Sequence, residues 1–442
     1  TQATLSAGSA TPNQVLSTDG TNLLWKNASG GVGGTGTAGQ VAFWVGASTL
    51  SGSSSLYWSN ASGRLGLGTT TPAEQLELTG NLRLPATTAS VGRVVAGDFP
   101  FMHSYGTDNT FLGSFSGNFT LTGGQNTGIG DIALANLTSG ADNTATGASA
   151  LMATTTGGGN SGMGSGVLTY NTAGTFNSAV GYFALHLNTT AGRNTAVGVG
   201  ALFAQDFANG GAAWDANNTA VGYEALNQNN PTNTSTGVEN TAVGAWALKA
   251  NTTGAWNTAT GYKSLDANTT GAFNAAFGHS SLAANTLGAE NTGVGSGALG
   301  SNSTGAENAA FGYGALFQNQ TADRNTALGW TSMNWNTTGT FNTAIGAASL
   351  VLNTTASRNT AVGADALGAQ GFDNGQTPWN SDNTAVGYQA LRLNQPTADS
   401  NGVRNTAVGA FSLAANTTGL DNTALGVTSL SSNQTGFANT AV

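Results

Sequence analysis

Acidic side chains are the residues that could hydrolyse a glycosidic bond in this 442-residue sequence, and all twenty are spread singly along the chain. A glycosidase needs two carboxyl groups, about 5–5.5 Å apart in retaining enzymes and about 6.5–9.5 Å apart in inverting ones. Glu290 and Glu307 occupy the same place in two successive copies of a repeat. We interpret them as like-charged neighbours on a solvated face, and we predict that the protein is not an enzyme.

Metal-ligating residues are equally scarce. The sequence has no cysteine, and His103, His186 and His279 have no ligand spacing between them. It also lacks the Gly- and Asp-rich repeat that binds calcium in some solenoids. We therefore predict no metal ion and no cofactor.

Aromatic side chains could instead bind a sugar by stacking. Two segments, 205–217 and 370–382, interrupt the regular repeat described below and carry Phe and Trp at matched offsets. The residues of these candidate recognition loops are Phe207, Trp214, Phe372 and Trp379. Loops carry function in repeat proteins more often than the regular units do. Two interpretations stay open: an exposed aromatic platform that binds a surface glycan, or a packed loop that bridges coils or chains.

The charge composition excludes several kinds of partner. Charged residues make up 7% of the chain, against about 25% in ordinary globular domains. The chain has only eleven Lys and Arg residues and a net charge of −9, so we predict neither nucleic acid nor an anionic membrane as a partner. No apolar run approaches the roughly 18 residues of a membrane span. The chain starts at Thr1 and stops at Val442 inside a repeat, so we expect a piece of a longer protein.

A 17-residue repeat organises residues 109–442. Eighteen copies follow one another, and longer copies occur only in 194–239 and 359–404. We number each copy from its first Asn, so that residues 240–256, the reference coil, occupy positions 1 to 17. Position 1 is Asn and position 5 is Gly in every full copy, and position 9 is Leu in sixteen of the eighteen.

These columns predict an all-β fold, a β-solenoid of the parallel β-roll type with about eighteen 17-residue coils. Each coil pairs with the next at about 4.8 Å, so identical side chains stack into ladders. Stacked Asn amides can bond to each other, and a recurring Gly marks a bend with positive φ or close backbone approach. We expect the apolar residues at positions 4 and 9 to fill the interior. The predicted ladder residues of two successive coils are Asn240, Gly244, Leu248, Asn257, Gly261 and Leu265.

Small residues recur at positions 3, 5 and 8 of the repeat, for example Ala242, Gly244 and Ala247. A smooth face of small side chains lets another backbone approach closely. We therefore expect this face to be buried between copies of the chain, and we prefer a homotrimer.

The run NTAVGxxAL, followed by a second Asn, resembles the coils of the left-handed parallel β-roll in the heads of trimeric autotransporter adhesins. It also resembles Asn-Thr-Ala-rich repeats of phage tail-fibre-like proteins and bacterial surface proteins. The resemblance covers residues 109–442, although the unit is longer than that of the adhesin heads. It implies a trimer with a structural or adhesive role outside the cell, on a cell surface or a virion, and a surface glycan or host-cell receptor as its partner.

Residues 1–108 precede the repeats and are predicted to form a small β-rich cap, adaptor or shaft region. Alternating apolar and polar residues predict strands in three segments, namely 38–50, 55–68 and 74–85. Four leucines of the last segment are expected to share one strand face, namely Leu76, Leu78, Leu82 and Leu84.

Several functions remain compatible with this pattern. We favour a structural extracellular fibre for surface attachment, with the receptor-binding shaft of a phage tail fibre as the alternative. The recurrence of Thr at position 2 leaves an ice-binding solenoid as a further alternative, although the variable columns of the repeat mix Trp, Phe, Glu and Arg. A polysaccharide-degrading tailspike is the other alternative, and it would need the paired carboxylates that the sequence does not place together.

Overall fold

A computed structural model describes the backbone of residues 14–18, 23–27, 33–35, 40–46, 49–59 and 61–442, and the side chains of residues 53–59 and 61–442. The chain divides into two compact units, Thr1–Pro85 and Ala86–Val442. Among the described residues the regular structure is almost entirely β, with a single 3-10 turn at Asn209–Gly211. Within these described residues, no helix has the length and the apolar character that a membrane span requires.

The first unit is a set of short strands. Those that the structure describes are β1 (Gln14–Thr18), β2 (Leu23–Asn27), β3 (Gly33–Thr35), β4 (Gln40–Gly46), β5 (Thr49–Ser59), β6 (Arg64–Leu67) and β7 (Leu76–Leu78). β1 and β2 form an antiparallel pair. β5 pairs antiparallel with β4 and β6 and parallel with β3, and β7 pairs parallel with β6.

The four-leucine strand predicted for residues 74–85 is wrong. β7 ends at Leu78, and the chain bends at once through Thr79 and Gly80. Leu82 is 66% exposed and lies outside any strand. Alternation alone does not hold a strand here, since the side chains of Leu76 and Leu82 are exposed in the described part of this unit.

The second unit contains the repeats. Its strands are β8 (Val94–Ala96), β9 (Phe99–His103), β10 (Thr110–Leu112), β11 (Thr127–Ile129), β12 (Thr144–Thr146), β13 (Ser161–Met163), β14 (Ser178–Val180), β15 (Ala191–Gly192), β16 (Thr195–Val197), β17 (Trp214–Asp215), β18 (Thr219–Val221), β19 (Thr241–Val243), β20 (Thr258–Thr260), β21 (Ala275–Phe277), β22 (Thr292–Val294), β23 (Ala309–Phe311), β24 (Thr326–Leu328), β25 (Thr343–Ile345), β26 (Ala356–Ser357), β27 (Thr360–Val362), β28 (Trp379–Asn380), β29 (Thr384–Val386), β30 (Thr406–Val408), β31 (Thr423–Leu425) and β32 (Thr440–Ala441).

Each coil contributes one short strand, which begins at position 2, to a single parallel sheet. Nineteen such strands follow one another from β10 to β32. They pair in register, so that Ala242 in β19 faces Ala259 in β20. The antiparallel pair β8–β9 joins the sheet through β10, which places residues 86–108 in the same compact unit as the repeats. At the other end, the described residues pair β32 with β31 alone. The predicted all-β parallel solenoid is confirmed.

The interior of each coil is narrow and differs from the expected one. Leu248 at position 9 is fully buried, whereas Val243 at position 4 is 37% exposed. The expectation that position 4 would fill the interior is therefore wrong. Successive side chains of a strand point to opposite faces. Because Ala242 at position 3 points inward, the residue at position 4 must point outward.

The expected association face is also wrong. Ala242 and Ala247 are fully buried within a single chain, so positions 3 and 8 have no surface left for a second copy. Small residues are needed there because the large interior residues leave little room. At Gly162, which also occupies position 3, an added Cβ would lie 2.9 Å from Leu151 Cδ1. Any contact between copies must therefore use other positions.

The Gly column at position 5 has two structural reasons. Gly244 has a φ of +133°, a conformation that residues with a Cβ rarely adopt. A Cβ added to it would also lie 2.6 Å from the carbonyl oxygen of Gly261 in the next coil. Consecutive backbones therefore approach closely at position 5, and only hydrogen fits between them.

Three further positions of each coil adopt left-handed backbone conformations. In the reference coil they are Trp246, Leu248 and Trp256, with φ of 60°, 50° and 57°. Left-handed geometry costs an ordinary residue about 1–2 kcal/mol. Hydrogen bonds between coils offset this cost. The backbone N–H of Trp246 donates to the carbonyl oxygen of Tyr223 in the preceding coil at 2.9 Å. The backbone N–H of Leu248 donates to the carbonyl oxygen of Ser264 in the following coil at 3.0 Å.

Gly244→Val tests the close approach at position 5. We expect it to destabilise the solenoid by more than about 2 kcal/mol, because both the φ and the space at Gly244 exclude a side chain. Ala245→Val is the matched control, since position 6 carries Val in other coils, for example Val199. Chemical denaturation followed by circular dichroism compares the two variants. Equal midpoints would contradict this account of the Gly column.

Candidate functional surfaces

A ladder of buried Asn side chains at position 1 runs inside the solenoid. The backbone N–H of Asn257 donates to Oδ1 of Asn240 at 3.0 Å. Its side-chain Nδ2 donates to the carbonyl oxygen of Gly271 at 2.8 Å, near the end of its own coil. Each side chain therefore ties one coil to the next and also closes its own coil.

A second buried ladder uses Asn at position 12. Nδ2 of Asn268 donates to Oδ1 of Asn251 at 2.8 Å and to the carbonyl oxygen of Gly271 at 3.0 Å. Two Asn amides of one coil thus converge on a single carbonyl group. The recurrence of Asn at position 12 is the sequence signal for this ladder, but the column alone does not show that it lies inside.

Gln replaces Asn at position 12 where the longer coils begin. Oε1 of Gln205 accepts a hydrogen bond from Nδ2 of Asn229, 24 residues further on. Its Nε2 atom is buried without a hydrogen-bond partner, as is Oδ1 of Asn188 in the preceding coil. Gln370 repeats this arrangement. The ladder is therefore interrupted twice, at equivalent places in the two long segments.

The tryptophans of the candidate recognition loops are buried. Trp214 is 8% exposed and packs edge-on against Phe207, with ring centroids 5.8 Å apart. Trp379 is 6% exposed and packs in the same way against Phe372, at 5.7 Å. Strand pairing anchors both, because β17 pairs with β15 and β28 with β26. Of the two interpretations left open by the sequence, the burial of the tryptophans favours the packed loop, and each ring belongs to a small core of its own.

Consecutive loops in the second long segment border the same cavity. This space of about 460 Å³ is lined by residues from both loops, among them Phe372, Asp373, Gln395, Pro396 and Thr397. The loops of the two coils therefore lie at one edge of the solenoid. Phe372 is the part of the predicted site that reaches this cavity.

Glu290 and Glu307 have the environment of surface charges, because both are exposed. Glu307 forms a two-point ion pair with Arg324, with N–O distances of 2.9 and 3.0 Å. Hydrogen bonding to Arg324 lowers the pKa of Glu307, which keeps this carboxylate ionised and unsuited to donate a proton. Glu290 lies one coil away in the same column. Within the described residues, no group of three or more His, Asp or Glu side chains could hold a metal ion.

The first of the three histidines has a structural role. His103 is 5% exposed, and its Nε2 lies 2.8 Å from the carbonyl oxygen of Ser116. Burial lowers its pKa, so the neutral ring is favoured. Its ring also packs 4.8 Å from that of Phe111, the large buried residue of the first coil. His103 therefore helps to cover the first coil.

The outer surface of the parallel sheet, here called the sheet face, consists of positions 2 and 4 of all coils. Position 2 is mostly Thr and position 4 mostly apolar, and neither position carries a charge between residues 109 and 442. The exposed apolar residues at position 4 are Ile129, Met163, Val180, Val197, Val243, Phe277, Phe311, Leu328, Leu425 and, in the last partial copy, Val442. The sheet face is thus a continuous uncharged strip along the solenoid.

Comparisons with known proteins leave the family open. No family model, no curated protein and no solved structure matches the chain. The resemblance to adhesin heads and tail-fibre repeats therefore rests on the NTAVG motif and its recurrence.

Asn257→Ala tests the ladder at position 1. The backbone N–H of Asn274 would lose its acceptor, Oδ1 of Asn257, in a buried site. We expect a loss of about 1–3 kcal/mol for each group left unpaired. Thr270→Ala, at an exposed position of the same coil, should have almost no effect. Denaturation midpoints check the comparison, and a stable Asn257→Ala variant would contradict the proposed importance of the ladder.

Trp214→Ala tests whether the loop is part of the folded core. A buried aromatic side chain replaced by Ala typically costs about 3–5 kcal/mol. We expect faster hydrogen exchange across 190–240 with little change in distant coils, because repeats contact only their neighbours. Trp330→Ala removes a tryptophan that is 61% exposed and serves as the control. Unchanged exchange in both variants would show that the Trp214 packing contributes little.

Proposed function

We propose that the chain is a subunit of a non-enzymatic structural fibre that acts outside the cell, at a cell surface or on a virion, in surface attachment. The observation that carries this proposal is the sheet face. A rigid solenoid with one uncharged strip along its whole length is suited to pack lengthwise against copies of itself. The resemblance to trimeric adhesin heads supports a homotrimer.

The size of the sheet face supports self-association. Eighteen coils at about 4.8 Å span roughly 86 Å, and side chains two residues apart on a strand are about 7 Å apart. The strip, one row of which is mostly Thr, therefore covers on the order of 600 Å², somewhat less than the about 800 Å² that each partner contributes to a standard interface. Because the strip has no charges, identical copies meet without electrostatic repulsion.

The receptor-binding shaft of a phage tail fibre is the alternative form of the same proposal. Both forms use a passive rod that presents its side surfaces to a target, and they differ in what the rod is attached to. Electron micrographs of the native assembly distinguish a virion appendage from a cell-surface fibre.

Substitutions on the sheet face test the proposed assembly. Phe277→Lys with Leu328→Lys places two charges at position 4, and we expect the assembly to dissociate because buried like charges are costly. Light scattering should give about three times the chain mass of 43.8 kDa for the unaltered protein and about one chain mass for the variant.

Thr270→Lys with Thr304→Lys is the matched control. Both threonines are exposed at position 14, away from the sheet face, so this variant should keep the mass of the unaltered protein. An unaltered protein that stays monomeric would contradict self-association. Equal dissociation of both double variants would contradict the choice of the sheet face.

A further inference from the structure

A trough on another side of the solenoid is formed by two adjacent glycines. Gly297 and Gly314 occupy position 7 in consecutive coils, the only such pair of glycines at that position in the repeats. With no side chain at either, a space of about 410 Å³ opens between the residues of positions 6 and 10. The lining residues are His279, Ser280, Ser296, Gly297, Tyr313, Gly314, Phe317 and Asn334.

Aromatic side chains supply the apolar part of this trough. Tyr313 at position 6 is 62% exposed, and Phe317 at position 10 is 36% exposed. The Phe317 ring is held close to the backbone, because a Cβ added to Gly300 would lie 2.7 Å from its Cε2 atom. A ligand with an apolar face can therefore pack on rings whose positions are already restricted.

Polar groups border the same space. Nδ2 of Asn334 donates to the carbonyl oxygen of Gly314 at 2.7 Å, which orients the amide. His279 stacks on Tyr262, with ring centroids 5.3 Å apart, and is exposed. Among the hydrogen bonds of the described residues, none uses Oδ1 of Asn334, the ring nitrogens of His279 or the hydroxyl group of Tyr313. These groups are accessible to hydroxyl groups of a ligand.

The chemistry of the lining defines the ligand class. None of the eight lining residues is Asp, Glu, Lys or Arg, so an ionised ligand would find no counter-ion. Ring faces combined with amide, imidazole and hydroxyl groups match a sugar ring, which has an apolar C–H face and a rim of hydroxyl groups. The trough spans four coils, about 14 Å between the first and the last, which favours several linked sugar rings.

We propose that this trough binds a short uncharged oligosaccharide, with one sugar ring packed on Tyr313 and hydroxyl groups of different linked rings bonded to Asn334 and to His279. This inference gives the proposed surface-attachment function a ligand class, and it locates recognition on the regular coils. One such trough is shallow, so binding to a single chain is weak. Several copies in one assembly would strengthen binding to a surface that presents many glycans.

The test applies the 442-residue chain to an array of neutral and anionic oligosaccharides and then titrates the best neutral ligand by NMR. We expect binding to neutral members and at least a tenfold weaker binding by Tyr313→Ala. Gly297→Phe should abolish binding by filling the trough. The Gly297→Phe variant should also fold, because Phe183 and Phe411 occupy position 7 of other coils with φ values close to that of Gly297.

Trp335→Ala is the matched control. It removes an aromatic side chain that is 51% exposed, close in sequence to the trough but not part of its lining, so binding should be unchanged. No binding to neutral glycans, binding to anionic glycans alone, or full binding by Gly297→Phe would each overturn the proposal.

Light scattering on the same variants separates this inference from the proposed assembly. Loss of sugar binding by Tyr313→Ala at unchanged mass supports the trough. A fall in mass together with the loss of binding would mean that the trough is a contact between chains, which overturns the inference. If the unaltered protein is a monomer that still loses neutral sugar binding on Tyr313→Ala, the assembly proposal fails and the trough stands.

Discussion

From residue 160 onward, the convergence of two Asn amides on one backbone carbonyl is the interaction on which the regular coils depend. In each regular coil the chain must close within 17 residues, and its interior is too narrow for a large apolar core. The amides of Asn257 and Asn268 both donate to Gly271, which ties the beginning and the middle of a coil to its end. The same side chains bond to the neighbouring coils. Because these groups are buried, every missing partner is costly.

That closure explains the constraints on the other positions. Leu at position 9 fills the remaining interior, and Ala at positions 3 and 8 leaves room for it. Residues with positive φ at positions 5, 7 and 9 direct backbone N–H and C=O groups toward the preceding and the following coil. Outward positions are then free to vary, and this freedom lets the surface carry a uniform strip on the sheet face and an irregular aromatic trough elsewhere.

Much of the fold follows from the sequence, because a repeat read in columns averages over eighteen copies of the same environment. The invariant Asn and Gly predict stacking and a bend, and the 17-residue length excludes helix pairs. The left-handed backbone at Leu248 and its equivalents could not be predicted, since Leu rarely adopts it and neighbouring coils impose it. The outward position of Val243 does not follow from its residue type, because an apolar side chain is ordinarily interior.

The surfaces are harder to predict than the coils, because they depend on side chains from different coils. Trp214 in an irregular segment has the composition of a binding loop, yet strand pairing draws its ring into a small core. The trough, in contrast, lies within the regular repeat. Two glycines leave a space there that no sequence motif indicates. A departure from a column of the repeat can therefore create a binding surface as readily as an inserted loop can.

Distances between coils test the stacking most directly. The chain has no cysteine, so a spin-label pair can be introduced at Ala245 and Ala347, or at Ala245 and Val427, all at position 6. Double electron–electron resonance on spin-diluted protein should give a distance of about 29 Å for the first pair, which is six coils apart, and about 48 Å for the second pair, which is ten coils apart. Distances that do not increase in proportion to the number of coils would contradict the solenoid and the ladders that hold it together.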